Sequence, residues 1–177
     1  MNTSHERLDN IDYSNEWYTP KYFFDAFPEF DLDPCAPIKP LWKTAKNMYN
    51  IHDDGLALDW STFGSVWLNP PYERPIINQF LEKMADHNNG IALIYTRMDT
   101  QMTQELVLQK ASAILFIKGR VAFYRPDGTK GKSAGCGSML VSYGNECKYL
   151  LKECGIEGVM YEFVKNVEEK QLTKPLF

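Results

Sequence analysis

Cysteine and histidine are scarce. Four cysteines stand at 35, 136, 147 and 154 among 177 residues, and three histidines are scattered. No pair reads Cys-x-x-Cys, so neither a zinc-site spacing nor a disulfide framework is present, and a reducing cytoplasm is the expected setting. Nothing in the chain makes an apolar run long enough for a bilayer, and nothing at its start reads as a signal peptide. A basic excess is missing too. Nineteen Lys and Arg face 23 Asp and Glu, leaving a net charge of −4. That excludes indiscriminate nucleic-acid binding by the whole surface but leaves room for a local basic patch. The eleven glycines never fall as Gly-x-Gly-x-x-Gly, which removes the dinucleotide fingerprint. Gly131-Lys132-Ser133 would close a phosphate-binding loop, but Pro126 stands where the pattern needs its first glycine. There is no internal repeat.

What is present is an ordinary globular composition, 44% hydrophobic and 24% charged, in a length that suits a single domain over residues 1–177. The chain is organised around one stretch, Val66-Trp67-Leu68-Asn69-Pro70-Pro71-Tyr72. Its first three residues predict a short buried strand. Two prolines then remove two backbone donors and fix φ, and Asn69 before them is driven to an extended conformation. The result is a stiff step with an amide at its base and an aromatic ring at its top. Such a step suits an exocyclic amine, a poor nucleophile whose lone pair is delocalised into its ring. The Asn69 side-chain oxygen and the Pro70 carbonyl can each accept one N–H, and Pro71 offers no competing donor. Tyr72 can stack on the base, a contact worth roughly 1–3 kcal/mol. The bland alternative is a Pro-Pro turn after a core strand.

Around it the chain predicts alternating elements. Residues 1–14 are polar and read as a mobile arm. Thr19-Pro20 reads as a helix start, with Thr19 as N-cap and Tyr22, Phe23, Ala26 and Phe27 behind it. Phe30 to Asp33 predicts a strand, 41–49 a helix, and Asp53-Asp54-Gly55 a turn. A helix opens at Pro75 and stops at Asn88-Asn89-Gly90. Strands at 91–95, 114–117, 139–143 and 159–164 alternate with helices at 101–110 and 145–154, and 121–124 alternates more weakly. A Gly-rich loop spans 126–137, and 165–177 reads as a frayed tail. This alternation predicts an α/β sandwich around a mostly parallel sheet.

Three further groups carry chemistry. Asp33-Pro34-Cys35-Ala36 ends a strand with a carboxylate and small residues, suited to a cationic amine or sulfonium; a capped turn is the alternative. Asp59-Trp60 offers an acceptor for an adenine amino group with a ring beside it, or else a helix-cap Asp. Lys118, Arg120, Arg125, Lys130 and Lys132 crowd into 15 residues against Asp127 alone, a nucleic-acid patch or a solvated loop.

The order of these pieces resembles the amino-methyltransferases that use S-adenosylmethionine and carry a (D/N)PP(Y/F) motif. More closely it resembles the small phage-type DNA N-6-adenine methyltransferases, the phage Dam-like family. The matching stretches are Glu16-Trp17-Tyr18-Thr19-Pro20, Asp53 to Leu56 through Asp59-Trp60 to Trp67–Tyr72, Thr96-Arg97-Met98-Asp99-Thr100, and Ile117 to Val121. They cover roughly residues 15 to 145. The resemblance implies a Rossmann-like fold and a cofactor pocket lined by Trp17, Thr19, Pro20, Asp33, Pro34, Cys35, Ala36, Asp59 and Trp60. It implies catalysis by Asn69, Pro70, Pro71 and Tyr72 on an adenine flipped from duplex DNA. Arg97, Lys118, Arg120, Arg125, Lys130 and Lys132 would face the nucleic acid. No metal is expected. The chain lacks the glycine-rich turn of wider methyltransferases, and Asp33-Pro34-Cys35-Ala36-Pro37 replaces it. Asp53 or Asp54 are the candidates for holding the cofactor ribose. The remaining readings are the same chemistry on RNA or a protein glutamine, and a non-catalytic nucleic-acid-binding module.

Overall fold

The computed structural model describes residues 17–132 and 134–164. The expected arm at 1–14 and tail at 165–177 lie outside the described residues. Among the described residues seven strands form one sheet: β1 (Phe30–Asp33), β2 (Ala45–Met48), β3 (Val66–Leu68), β4 (Gly90–Tyr95), β5 (Ala113–Ile117), β6 (Ser138–Tyr143) and β7 (Gly158–Glu162). Their order is β2-β1-β3-β4-β6-β5-β7. The first four pair in parallel, and β6 and β7 run against their neighbours. Five of the seven strands therefore point one way, with β6 inserted antiparallel between β4 and β5. The expected α/β sandwich holds, and its sheet is mixed on the β6–β7 side.

Alternation along the strands separates two apolar layers, because successive side chains leave a strand on opposite faces. Val66 and Leu68 of β3 join Ala92 and Ile94 of β4 on one face, beneath Ile77, Phe80, Leu81 and Met84 of helix α2 (Ile76–His87). Trp67 goes to the other face with Ile91 and Leu93. There it meets Phe23 of the short helix α1 (Lys21–Asp25), and Leu151 of α3 (Asn145–Glu153) packs in the same layer. The helix α2 stops as expected: Asn88 adopts φ 54° and its N–H reaches Met84 O, the left-handed cap that Asn tolerates.

Four expectations are corrected. Residues 41–49 are not a helix; Ala45–Met48 is an edge strand. Ala45 is buried opposite Phe30, and Lys46 Nζ and Asn47 Nδ2 bond Asp31 Oδ1 and O at 2.7 and 2.9 Å. Pairing with β1 overrides the helix preference of Ala and Lys. Thr19 is not an N-cap; Pro20 holds that position and no side chain caps α1. The segment expected as an α-helix at 101–110 closes with π geometry over Thr103–Leu108. Finally, 121–124 is one arm of a small hairpin, with Tyr124 bridged to Lys130 on one side and Tyr18 on the other.

Strand order reverses between β1 and β3: the chain leaves β1 for β2 on one side and returns as β3 on the other. Ligands of open α/β sheets bind at that reversal, outside the carboxyl ends of the strands. Asp33 ends β1 and Asn69 follows β3.

Candidate active site

A cavity of about 870 Å³ opens at this reversal. Asp33 to Ala36 form one wall and Asn69 to Tyr72 another, with Trp17 and Thr19 across from them. The turn at Asp54-Gly55 folds against the first wall. A Cβ on Gly55 would lie 2.1 Å from the Pro34 carbonyl oxygen, so only glycine permits that approach.

Asn69 is set by its neighbours. Its Nδ2 donates to Thr19 Oγ1 at 3.2 Å. Its Oδ1 is buried and has no partner among the described residues. A buried acceptor left unpaired is costly, on the order of 1–3 kcal/mol, and rare enough to require a reason. Tyr72 stands beside it with its ring part exposed and stacked on Tyr95, centroids 4.1 Å apart and planes 24° apart. Its hydroxyl turns inward to Leu93 O at 3.4 Å, and burial there pushes its ionisation far above the usual phenol range.

Asp33 is buried at 3% exposure. Its Oδ1 accepts from Cys35 N at 3.0 Å and its Oδ2 from Thr44 Oγ1 at 2.6 Å. Loss of solvation outweighs both bonds and raises its pKa to about 6. Burial, helped by the Asp33 charge, also holds the Cys35 thiol well above the usual range, so this sulfur is a wall atom rather than a thiolate.

Other expected site residues lie elsewhere. Pro20 is the N-cap position of α1 and does not line the cavity. Asp59 and Trp60 also stay outside the lining. Asp59 Oδ1 caps a 3-10 turn, Trp60–Thr62, accepting from Ser61 N at 3.0 Å. Trp60 is buried against Phe80, with its indole N–H on Gly55 O at 2.9 Å. Of the two ribose candidates, Asp54 lines the cavity, while Asp53 Oδ2 accepts from Asn50 N at 2.9 Å.

The basic residues divide. Arg125 lies over the ring of Trp17, 5.8 Å from its centroid, and shares the cavity-side hairpin with Lys130. Lys132 follows that hairpin, exposed. The hairpin is tied to the cavity wall by Tyr18 N to Tyr124 O at 2.8 Å and Tyr124 N to Tyr18 O at 2.9 Å. Arg97 follows β4, exposed, on the side of Tyr72. Arg120 reaches Ala134 O at 3.3 Å. Lys118 pairs with Glu157 between β5 and β7, several strands from the cavity, in a solvent-exposed bridge of little energetic weight.

Trp42, Thr44 and Tyr95 are among the lining residues that escaped the sequence reading. Trp42 and Thr44 precede β2, in a stretch read as helical. Tyr95 ends a strand read as apolar throughout. Its position at the carboxyl end of β4, next to β3, was the available signal.

This sheet, with a cavity at its reversal, has the Rossmann-like methyltransferase fold. A family model described as DNA N-6-adenine-methyltransferase (Dam) matches residues 8–151, and the chain belongs to that family. A curated relative, the DNA N-6-adenine-methyltransferase of Escherichia phage T1, is 29% identical over 108 residues. That alignment covers 58% of this chain and 44% of the relative, so the chain spans less than half of that protein's length. No solved structure matches the chain. Among the described residues no group of His, Cys, Asp or Glu is arranged to hold a metal, and no helix is long and apolar enough to cross a membrane.

Proposed function

We propose that this chain is a DNA adenine-N6 methyltransferase, moving the methyl group of S-adenosylmethionine to the exocyclic amine of an adenine flipped out of a DNA duplex. The observation that carries this reading is Asn69 Oδ1, a buried acceptor without a partner among the described residues, at a cavity shared with a buried carboxylate. An N–H from the target amine satisfies that acceptor. The cofactor fits the residues present. The cavity has the size of a small-molecule site, Asp33 suits a cationic group, and Trp17, Trp42, Leu56 and Phe80 give apolar and aromatic walls. When bound, S-adenosylmethionine supplies an electrophilic methyl group on a sulfonium.

The protein's part is orientation. Asn69 Oδ1 and the Pro70 carbonyl accept the two amine N–H bonds and turn the nitrogen lone pair out of the ring plane. Holding the reactants in this geometry supplies much of the acceleration. Dipoles aimed at the amine stabilise the positive charge that grows on it. No base is needed before attack, because the proton leaves once the nitrogen is cationic. Tyr72 offers a face to the flipped base, whose extraction from the stack costs a few kcal/mol. Arg125, Lys130, Lys132 and Arg97 hold the DNA backbone near the cavity mouth. Both substrates would be met in the cytoplasm of a bacterial host.

Transfer of labelled methyl from S-adenosylmethionine to DNA, RNA and protein tests this directly. Label on N6 of adenine in DNA is the expected result. Label on RNA or protein glutamine changes the substrate and keeps the chemistry. No transfer, with DNA still bound, leaves a non-catalytic binding module.

A further inference from the structure

Resting on that reading, we infer that Thr19 is a positioning residue for methyl transfer: its hydroxyl holds the Asn69 side chain in place at the reacting amine. A side-chain amide turns about its last bond unless a hydrogen bond holds one end of it. The Thr19 hydroxyl takes Nδ2 at 3.2 Å, which leaves Oδ1 as the buried end, unpartnered among the described residues.

Thr19 is itself held. It is 6% exposed, and its carbonyl accepts the indole N–H of Trp42 at 3.0 Å. The residue before it exchanges two backbone bonds with Tyr124. The clamp fixes the backbone, so the hydroxyl is presented to Asn69 from a rigid wall. Placement within a fraction of an ångström is what such orientation requires. The helix-cap role that Thr19-Pro20 predicts is therefore replaced by a role across the cavity.

The test is a double-mutant cycle read as single-turnover methyl transfer to an adenine-containing duplex. Thr19→Val keeps shape and removes the acceptor. It should lower the transfer rate by roughly ten- to a hundred-fold, part of the roughly 10²–10³ that an oriented polar group commands. Affinity for S-adenosylmethionine by calorimetry and for DNA by anisotropy should stay within about two-fold. Thr19→Ser, which keeps the hydroxyl, should restore most of the rate. In the Asn69→Ala background Thr19→Val should add nothing, since two groups acting through one interaction are not additive. A full additive loss in that background, or a loss confined to cofactor affinity, would overturn the inference and make Thr19 a cofactor contact. An unimpaired Thr19→Val with an active parent would overturn it as well. An inactive parent would remove the functional reading and the inference with it.

Discussion

At Asn69 the two ends of one side-chain amide face different neighbours, and the proposed chemistry uses the end left unpaired. One end is tied to Thr19 and the other is buried with no partner among the described residues. On the proposed reading, Asn69→Ala deletes an acceptor at the reacting amine while the Pro70 carbonyl keeps the other. Turnover should fall by roughly 10²–10³, with cofactor and DNA still bound. Tyr72→Ala is a different lesion. Its ring stacks on Tyr95 with 4.1 Å between centroids, so the pair forms a two-layer platform to which, on the proposed reading, a flipped base adds a third. Losing one layer should weaken capture of the base by roughly 1–3 kcal/mol. Adenine opposite a mismatch leaves the stack more easily. Such a duplex should partly rescue Tyr72→Ala and leave Asn69→Ala unimproved. Equal rescue of both variants would show that the two residues do not divide the work this way.

At the scale of elements, β3 holds the step in place and the basic hairpin is the proposed DNA contact. Trp67 sits among Phe23, Phe24, Phe27 and Phe30, with ring centroids between 5.1 and 6.5 Å. Trp67→Ala should cost about 3–5 kcal/mol in denaturant unfolding, the usual range for emptying a large aromatic from a core; a cost below about 1 kcal/mol would mean the rings collapse into the space. Charge reversal at Arg125, Lys130 and Lys132 should weaken DNA binding and flatten its salt dependence, because each phosphate contact adds to the slope. Cofactor affinity should not move. Unchanged binding across salt concentrations would reduce the hairpin to a solvated face. Much of this frame was legible in the sequence. The β3 strand, the helix from Pro75 to its Asn88 stop and the strand before Asp33 all announce themselves by apolar period and by proline or asparagine at the ends. The edge strand β2 does not, because Ala45-Lys46-Asn47-Met48 carries a helix-former's composition and becomes a strand only by pairing with β1. Nor could spacing reveal that Thr19 crosses the cavity, since the contact joins residues 50 positions apart. Asp59-Trp60 was open to two readings for a related reason: a local cap and a core aromatic have the same residue types as a binding pair, and the structure shows the cap.

At the scale of the whole molecule, Asp33 couples folding to pH and, on the proposed reading, to the cofactor. Its carboxyl is buried, is held by Cys35 N and the Thr44 hydroxyl rather than by a cation, and titrates at about 6 in the folded chain. In the unfolded chain it titrates near the ordinary aspartate value of about 3.9. Between those values the folded state holds the proton more tightly, so stability is greatest below about pH 4 and is lost as pH rises towards about 6. The full effect of this one group is up to about 3 kcal/mol at neutral pH. Asp31, Asp59 and Asp127 have lowered pKa values from hydrogen bonds and act in the opposite direction. Their stabilisation is lost only as pH falls below about 4, so the two windows separate. Thermal melts of the free protein should therefore fall between about pH 4 and 6, and Asp33→Asn should flatten that fall. A cationic cofactor beside Asp33 favours its carboxylate, so binding near pH 5 should expel a proton and affinity should climb to a plateau above about pH 6. Calorimetry in two buffers of different ionisation enthalpy reads the proton directly. Asp33→Asn should abolish the release and weaken binding ten-fold or more, as expected for a charge-assisted contact of roughly 1.5–3 kcal/mol. Identical heats in the two buffers for the parent chain would mean that the cofactor's charge does not sit against Asp33, and that the carboxyl serves the fold of the Pro34 turn through Cys35 and Thr44 alone.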